Sequence, residues 1–151
     1  MDHSSMTTYA LVLIAGSAVA SIASGQTRHP PTSAAMGFDQ AKTTHRFTLK
    51  PDGGIIRVEV TDAADAAGRD RVRTHLETIA REFSGGDFEK PFHTHGEVPP
   101  GVPTLQRLKA SITYTYEEVE RGGLVRITTA DREALDAVHA FLRYQIKEHG
   151  K

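Results

Sequence analysis

Histidine is the residue type in this chain with the most chemistry to offer. There are eight among 151 residues, and there is no cysteine. Without thiolates, imidazole is the main borderline-soft ligand left, and it suits copper(II), zinc, nickel or iron. His93 and His95 form the sharpest pair. The stretch Pro91-Phe92-His93-Thr94-His95-Gly96 reads as extended, and residues two apart in an extended segment face the same side. Both rings could then reach one ion. Two imidazoles do not complete a tetrahedral site, which needs another ligand or two. His45, His75 and His139 are the expected partners, because each falls on or beside an apolar face. The candidate metal set is therefore His93, His95, His45, His75 and His139, and the expected ion is copper(II) or zinc. The plain alternative is a solvated His-Thr-His loop and three partly buried histidines, each satisfied by a backbone group.

Other chemistry is poorly provided for. No G-x-S-x-G elbow, phosphate-binding loop or dinucleotide fingerprint occurs, and His75-Leu76-Glu77 lacks the second histidine of an H-E-x-x-H helix. Ser84 and Ser111 have no visible base. No catalytic residue is assigned, and the reading leans away from an enzyme.

The elements that must position these histidines come in two copies. His45 to Leu49 and Ile55 to Val60 read as strands around a Lys50-Pro51-Asp52-Gly53-Gly54 turn, followed by a helix from Asp70 to Phe83. From Ser111 the order returns, with strands Ile112 to Val119 and Leu124 to Thr129 around Glu120-Arg121-Gly122-Gly123, then a helix from Glu133 to Glu148. Each strand alternates apolar and polar residues, which predicts an antiparallel sheet covered on one side only. The Gly-Gly pairs are read as hairpin turns that need positive φ. Val72, Leu76, Ile79 and Phe83 lie on one helical stripe, as do Leu135, Val138, Leu142 and Ile146. Asp65 or Asp70 is expected to cap the first helix and Asp131 the second. The predicted fold is a two-layer α+β sandwich: a four-stranded antiparallel sheet with helices on one face, built as ββα-loop-ββα.

Laid side by side, the copies differ in their histidines. His45 matches no histidine in the second copy, His75 aligns with Phe141, and His139 aligns with Arg73. The histidines are not products of the duplication. Between the copies runs a long connection, Ser84 to Ala110. Gly85-Gly86 stops the first helix, and Pro103 suits the first turn of a short helix through Leu105 and Leu108. Pro99 to Pro103 reads as a rigid entry to that helix, or else as a recognition loop.

Residues 1–25 differ from the rest. Tyr9 to Ala23 is almost entirely small and apolar, with small residues at several positions where a signal peptidase could cut. The run is shorter than the roughly 20 residues that span a bilayer. The segment is expected to be a signal peptide, although Met1 to Thr8 carries no Lys or Arg. Residues 26–41, with Pro30-Pro31 and Gly37, read as a flexible linker, and residues 42–150 as the single duplicated domain. Removal of residues 1–25 takes one acidic residue, leaving 18 basic and 18 acidic side chains. A net charge of zero without a basic stripe disfavours nucleic-acid binding. The expected location is the periplasm or the outside of a bacterial cell, with no stable membrane insertion after cleavage.

Thr43-Thr44-His45, Pro99-Pro100-Gly101-Val102-Pro103-Thr104 and Val138-His139-Ala140-Phe141-Leu142-Arg143-Tyr144-Gln145-Ile146 resemble the motifs of a group of small bacterial proteins, mostly uncharacterised and often exported. The resemblance runs from about Met36 to His149. Members of that group tend to carry a second histidine where this chain has Arg46, and one histidine in the central loop where this chain has His93 and His95. The resemblance implies a shared fold and brings no established activity. The functional expectation is a small exported protein that binds a transition metal through histidines. The alternative is a protein-interaction or self-associating module using the open sheet face or the proline-rich loop.

Overall fold

The computed structural model describes residues 36–149, apart from the side chains of residues 92–94. The expected signal peptide, most of the expected linker, and His3 and His29 lie outside the described residues. Within them, four strands form one antiparallel sheet: β1 (Thr43–Lys50), β2 (Gly53–Val60), β3 (Ile112–Val119) and β4 (Gly122–Thr129). Their order across the sheet is β1-β2-β4-β3. Four α-helices complete the fold: α1 (Ala66–Gly85), α2 (Glu89–His95), α3 (Val102–Arg107) and α4 (Arg132–His149).

The two ββα copies meet along β2 and β4. Ile56 pairs with Val125, its own counterpart in the second copy, so a pseudo-twofold axis passes between them. The Gly-Gly pairs serve this junction and do not form the turns. The turns are Pro51-Asp52 and Glu120-Arg121, and the glycines open β2 and β4. Of these four glycines only Gly53 has a positive φ, 152°. A Cβ on Gly53 would lie 1.9 Å from the Ile127 carbonyl oxygen, and one on Gly122 would lie 2.1 Å from that of Val58. Glycine is needed there because the neighbouring backbone leaves no room for a side chain. Gly54 makes room instead for a helix side chain, Leu142, and Gly123 for the Tyr116 ring of β3 and then Leu76.

Both long helices start at an aspartate. Asp65 accepts from the Gly68 amide at 2.8 Å, and Asp131 from the Ala134 amide at 2.8 Å. Because Asp65 and not Asp70 is the cap, α1 begins at Ala66, earlier than the apolar period alone suggests. Gly86, at φ 82°, ends α1 in the left-handed conformation. The α1 stripe of Val72, Leu76, Ile79 and Phe83 is buried as expected. The α4 stripe is turned from the expected one. Ala134, Val138, Phe141, Leu142 and Gln145 face inward, whereas Ile146 is 38% exposed.

The long connection is structured. It holds α2, α3 and a short 3-10 turn, Lys109–Ser111. Phe88 enters the core, stacked on Phe83 with ring centroids 4.2 Å apart. Part of the stretch read as a linker packs on the core. Phe38 is buried in the core and Met36 packs against it. Among the described residues no helix is long and apolar enough to cross a membrane.

Candidate functional site

One of the expected ligands, His139, is placed apart from the others. The His93-Thr94-His95 segment is the end of α2, not an extended strand. The extended backbone on which the His93–His95 pairing depends is absent there. The His93 side chain is not among the described groups. His139 is a structural residue. Its Nε2–H donates to the Lys50 carbonyl at 2.9 Å and the Gly53 carbonyl at 3.0 Å, which locks α4 onto the β1–β2 hairpin. Arg73 does the same in the other copy, donating from Nη2 to the Val119 carbonyl at 2.8 Å and from Nε to that of Gly122 at 3.1 Å. The positions correspond one for one, so the alignment of His139 with Arg73 reflects a shared task.

The other three expected histidines converge, and a fourth joins them. His45 on β1, His75 on α1, His95 at the end of α2 and His149 at the end of α4 line one cavity of about 50 Å³ between sheet and helices. The His45 and His149 rings stack with centroids 5.6 Å apart, and His95 meets His149 edge-on at 5.1 Å. Phe38 stands against both His45 (5.9 Å) and His75 (5.3 Å). Gln145, on the inward face of α4, is 5% exposed. Its Oε1 lies 3.2 Å from His95 Nε2. With the amide oriented so, His95 donates from Nε2 and keeps its lone pair on Nδ1. Two nitrogens in this cavity, His45 Nε2 and Gln145 Nε2, are buried with no hydrogen-bond partner. Leaving a buried polar atom unpaired costs about 1–3 kcal/mol.

Comparison with family models, with curated proteins and with solved structures returns no match.

The cavity is the feature that breaks the internal symmetry. With the strands aligned at Lys50 and Val119 and the helices at Leu76 and Leu142, His45 corresponds to Tyr114, His75 to Phe141, and His149 to Phe83. In the second half those residues form a closed aromatic cluster. Phe83 lies 5.8 Å from both Tyr114 and Phe141, edge-on to each. Gln145 corresponds to Ile79, which is also buried. The same framework thus sets aromatic rings and an isoleucine at one group of positions and imidazoles and an amide at the other, and Ile79, Phe83 and Phe141 line the cavity too.

Burial favours the neutral form of three of these imidazoles, His45, His75 and His149. Burial, then the neighbouring His149, brings His45 down to about 4. Burial, then the charges of Lys90 and His45, brings His75 down to about 4. His149 is also lowered, by burial and by His95, against a smaller upward pull from Glu148. Desolvation dominates because the charged form loses its water, and only at His149 does a carboxylate, Glu148, pull the other way. No side chain lining the cavity is an Asp or Glu. Neutral imidazoles offer lone pairs at neutral pH. Among the described residues, no three His, Asp or Glu side chains already converge closely enough to hold an ion. The rings lie face to face and edge to face, so chelation requires side-chain rotation.

His149 is the ligand candidate that the sequence reading missed. Val138, Leu142, Gln145 and His149 recur at spacings of four, three and four, which is the inward period of α4. Following the apolar residues to Ile146 leads off that line.

On the open sheet face, Arg57 and Glu59 are joined by two hydrogen bonds of 2.8 and 3.0 Å, so these charges are satisfied within the chain. In the proline loop Pro99 and Val102 are buried. Gly101, at φ 87°, sits where a Cβ would lie 2.3 Å from the Ala137 carbonyl oxygen. This loop is packed against α4 as a rigid entry to α3.

Proposed function

We propose that the protein is an exported binding protein that takes up one transition-metal ion, copper(II) or zinc, in the imidazole-lined cavity. His45, His95 and His149 are the ligands, with His75 beside them, and His139 is left out because it does not line the cavity. The observation that carries this reading is the convergence of four of the eight histidines on one small cavity. The donor set fits such an ion. His45 Nε2 is buried and unpartnered, and a lone pair there has no internal competitor. His95 is oriented by Gln145 in the way that outer-shell groups commonly fix the tautomer of a ligating histidine. The all-nitrogen set favours copper(II) or zinc over calcium or magnesium, which prefer oxygen. The apolar N-terminal segment supports export, where such an ion would be met outside the cytoplasm.

Equilibrium dialysis tests the reading. The full chain should retain one copper(II) or zinc per molecule with submicromolar affinity. His45→Tyr, which installs the residue of the symmetric position, should weaken retention at least tenfold, whereas His139→Arg should leave it intact. Affinity no tighter than micromolar, or equal retention by His45→Tyr, would remove the proposal.

A further inference from the structure

We infer that the cavity of the metal-free protein is a binding site for a small neutral alcohol, whose hydroxyl hydrogen-bonds with the unpartnered nitrogens of Gln145 and His45 while its short alkyl part packs on the hydrocarbon lining. This concerns the protein without an ion and does not rest on the metal-binding reading. Two observations carry it. The first is a pair of unmet hydrogen-bonding atoms. Gln145 is 5% exposed, its Oε1 faces His95, and its Nε2 has no partner. His45 Nε2 is buried without a partner as well. Both residues line the cavity, and a buried polar atom left unpaired is unfavourable. An amide NH2 only donates, whereas a neutral imidazole nitrogen donates or accepts according to its tautomer. A hydroxyl does both, so it serves the amide and either tautomer of the ring. A carbonyl only accepts and an ammonium only donates.

The second observation is the rest of the lining. Ile56, Val58, Leu76, Ile79, Phe83 and Phe141 surround these nitrogens with hydrocarbon. No carboxylate lines the cavity, and the ammonium of Lys90 is ion-paired with Glu82. A charged ligand would lose its water there without a free counter-charge, and a neutral one avoids that cost. The cavity volume of about 50 Å³ corresponds to roughly three to five water-sized groups at about 10–15 Å³ each. That admits a hydroxyl with two or three carbons. Met36, His75 and Lys90 line both this cavity and a groove along α1 that includes Thr74 and Thr78, so the ligand enters from that side.

Propan-1-ol is the probe, added to the metal-free full chain with a chelator present. NMR follows the His45 ring protons and the Gln145 side-chain amide protons. Both sets of signals should shift with saturation, while those of His139 stay in place. Propionate and propylammonium, which have the same chain length and carry a charge, should produce no saturating shift. Gln145→Leu should weaken propanol binding about fivefold, the loss expected of one hydrogen bond. His45→Phe should do the same, each variant being read through the other residue's signals. The inference is overturned if the wild-type signals do not saturate, which would leave water alone in the cavity. It is also overturned if propionate or propylammonium binds as tightly as propanol, or if both variants bind propanol as wild type does. Should a variant fail to fold, the charged analogues decide the matter on the wild type. Metal uptake is measured separately, so either reading can fail without the other.

Discussion

His45 and His75 carry a cost that depends on pH. Each has a folded-state pKa of about 4 against 6.5 for an ordinary histidine. Between these values the unfolded chain binds protons that the folded chain refuses, so stability rises with pH across this window. The cost is absent above about pH 6.5, grows as pH falls and is complete below about 4. The two groups interact, and each is associated with up to roughly 3 kcal/mol. With a chelator present, the urea midpoint should fall steadily from pH 7 to pH 4.5. His75→Phe, which reproduces the Phe141 position, should flatten that dependence. An unchanged slope in His75→Phe would show that this ring is not buried as a neutral group.

At the scale of elements, the helix-to-hairpin lock is the clearest device. His139 and Arg73 each bind the two carbonyls that flank a turn in the adjoining β-hairpin. His139→Ala leaves those of Lys50 and Gly53 without this donor and should cost about 1–3 kcal/mol in chemical denaturation. His139→Arg should recover most of that loss, since arginine already does this work in the other copy. Equal destabilisation by both variants would contradict the assigned equivalence. Much at this scale was legible in the sequence. Strand alternation, the α1 stripe and the aspartate caps are local signals, and each appears where the residues place it. Strand order was not legible, because it depends on the contact of Gly53 and Gly122 with the facing backbone. The helical state of residues 89–95 was hidden as well. Pro91 and Gly96 suggest an extended segment, whereas Pro91 lies in the first turn of α2, where its missing N–H is tolerated. His95 therefore joined the site by being carried at the end of a helix, not by its spacing from His93.

For the whole molecule, the decisive property is an asymmetric duplication. In one half Phe83, Phe88, Tyr114 and Phe141 pack ring against ring. The other replaces three corresponding aromatic rings by His45, His75 and His149 and one isoleucine by Gln145. The sequence alignment of the copies already showed histidines opposite non-histidines, but not that three of them share a cavity with His95. His149 was hidden because a histidine at a helix end reads as a solvated group until its partner strand is known. The most direct measurement follows the histidine ring protons by NMR during addition of substoichiometric copper(II), whose paramagnetism broadens nearby resonances. The His45, His95 and His149 signals should vanish first and together, with His139 remaining sharp. Broadening confined to other histidines, or spread evenly over all eight, would contradict the assignment of the cavity as the metal site.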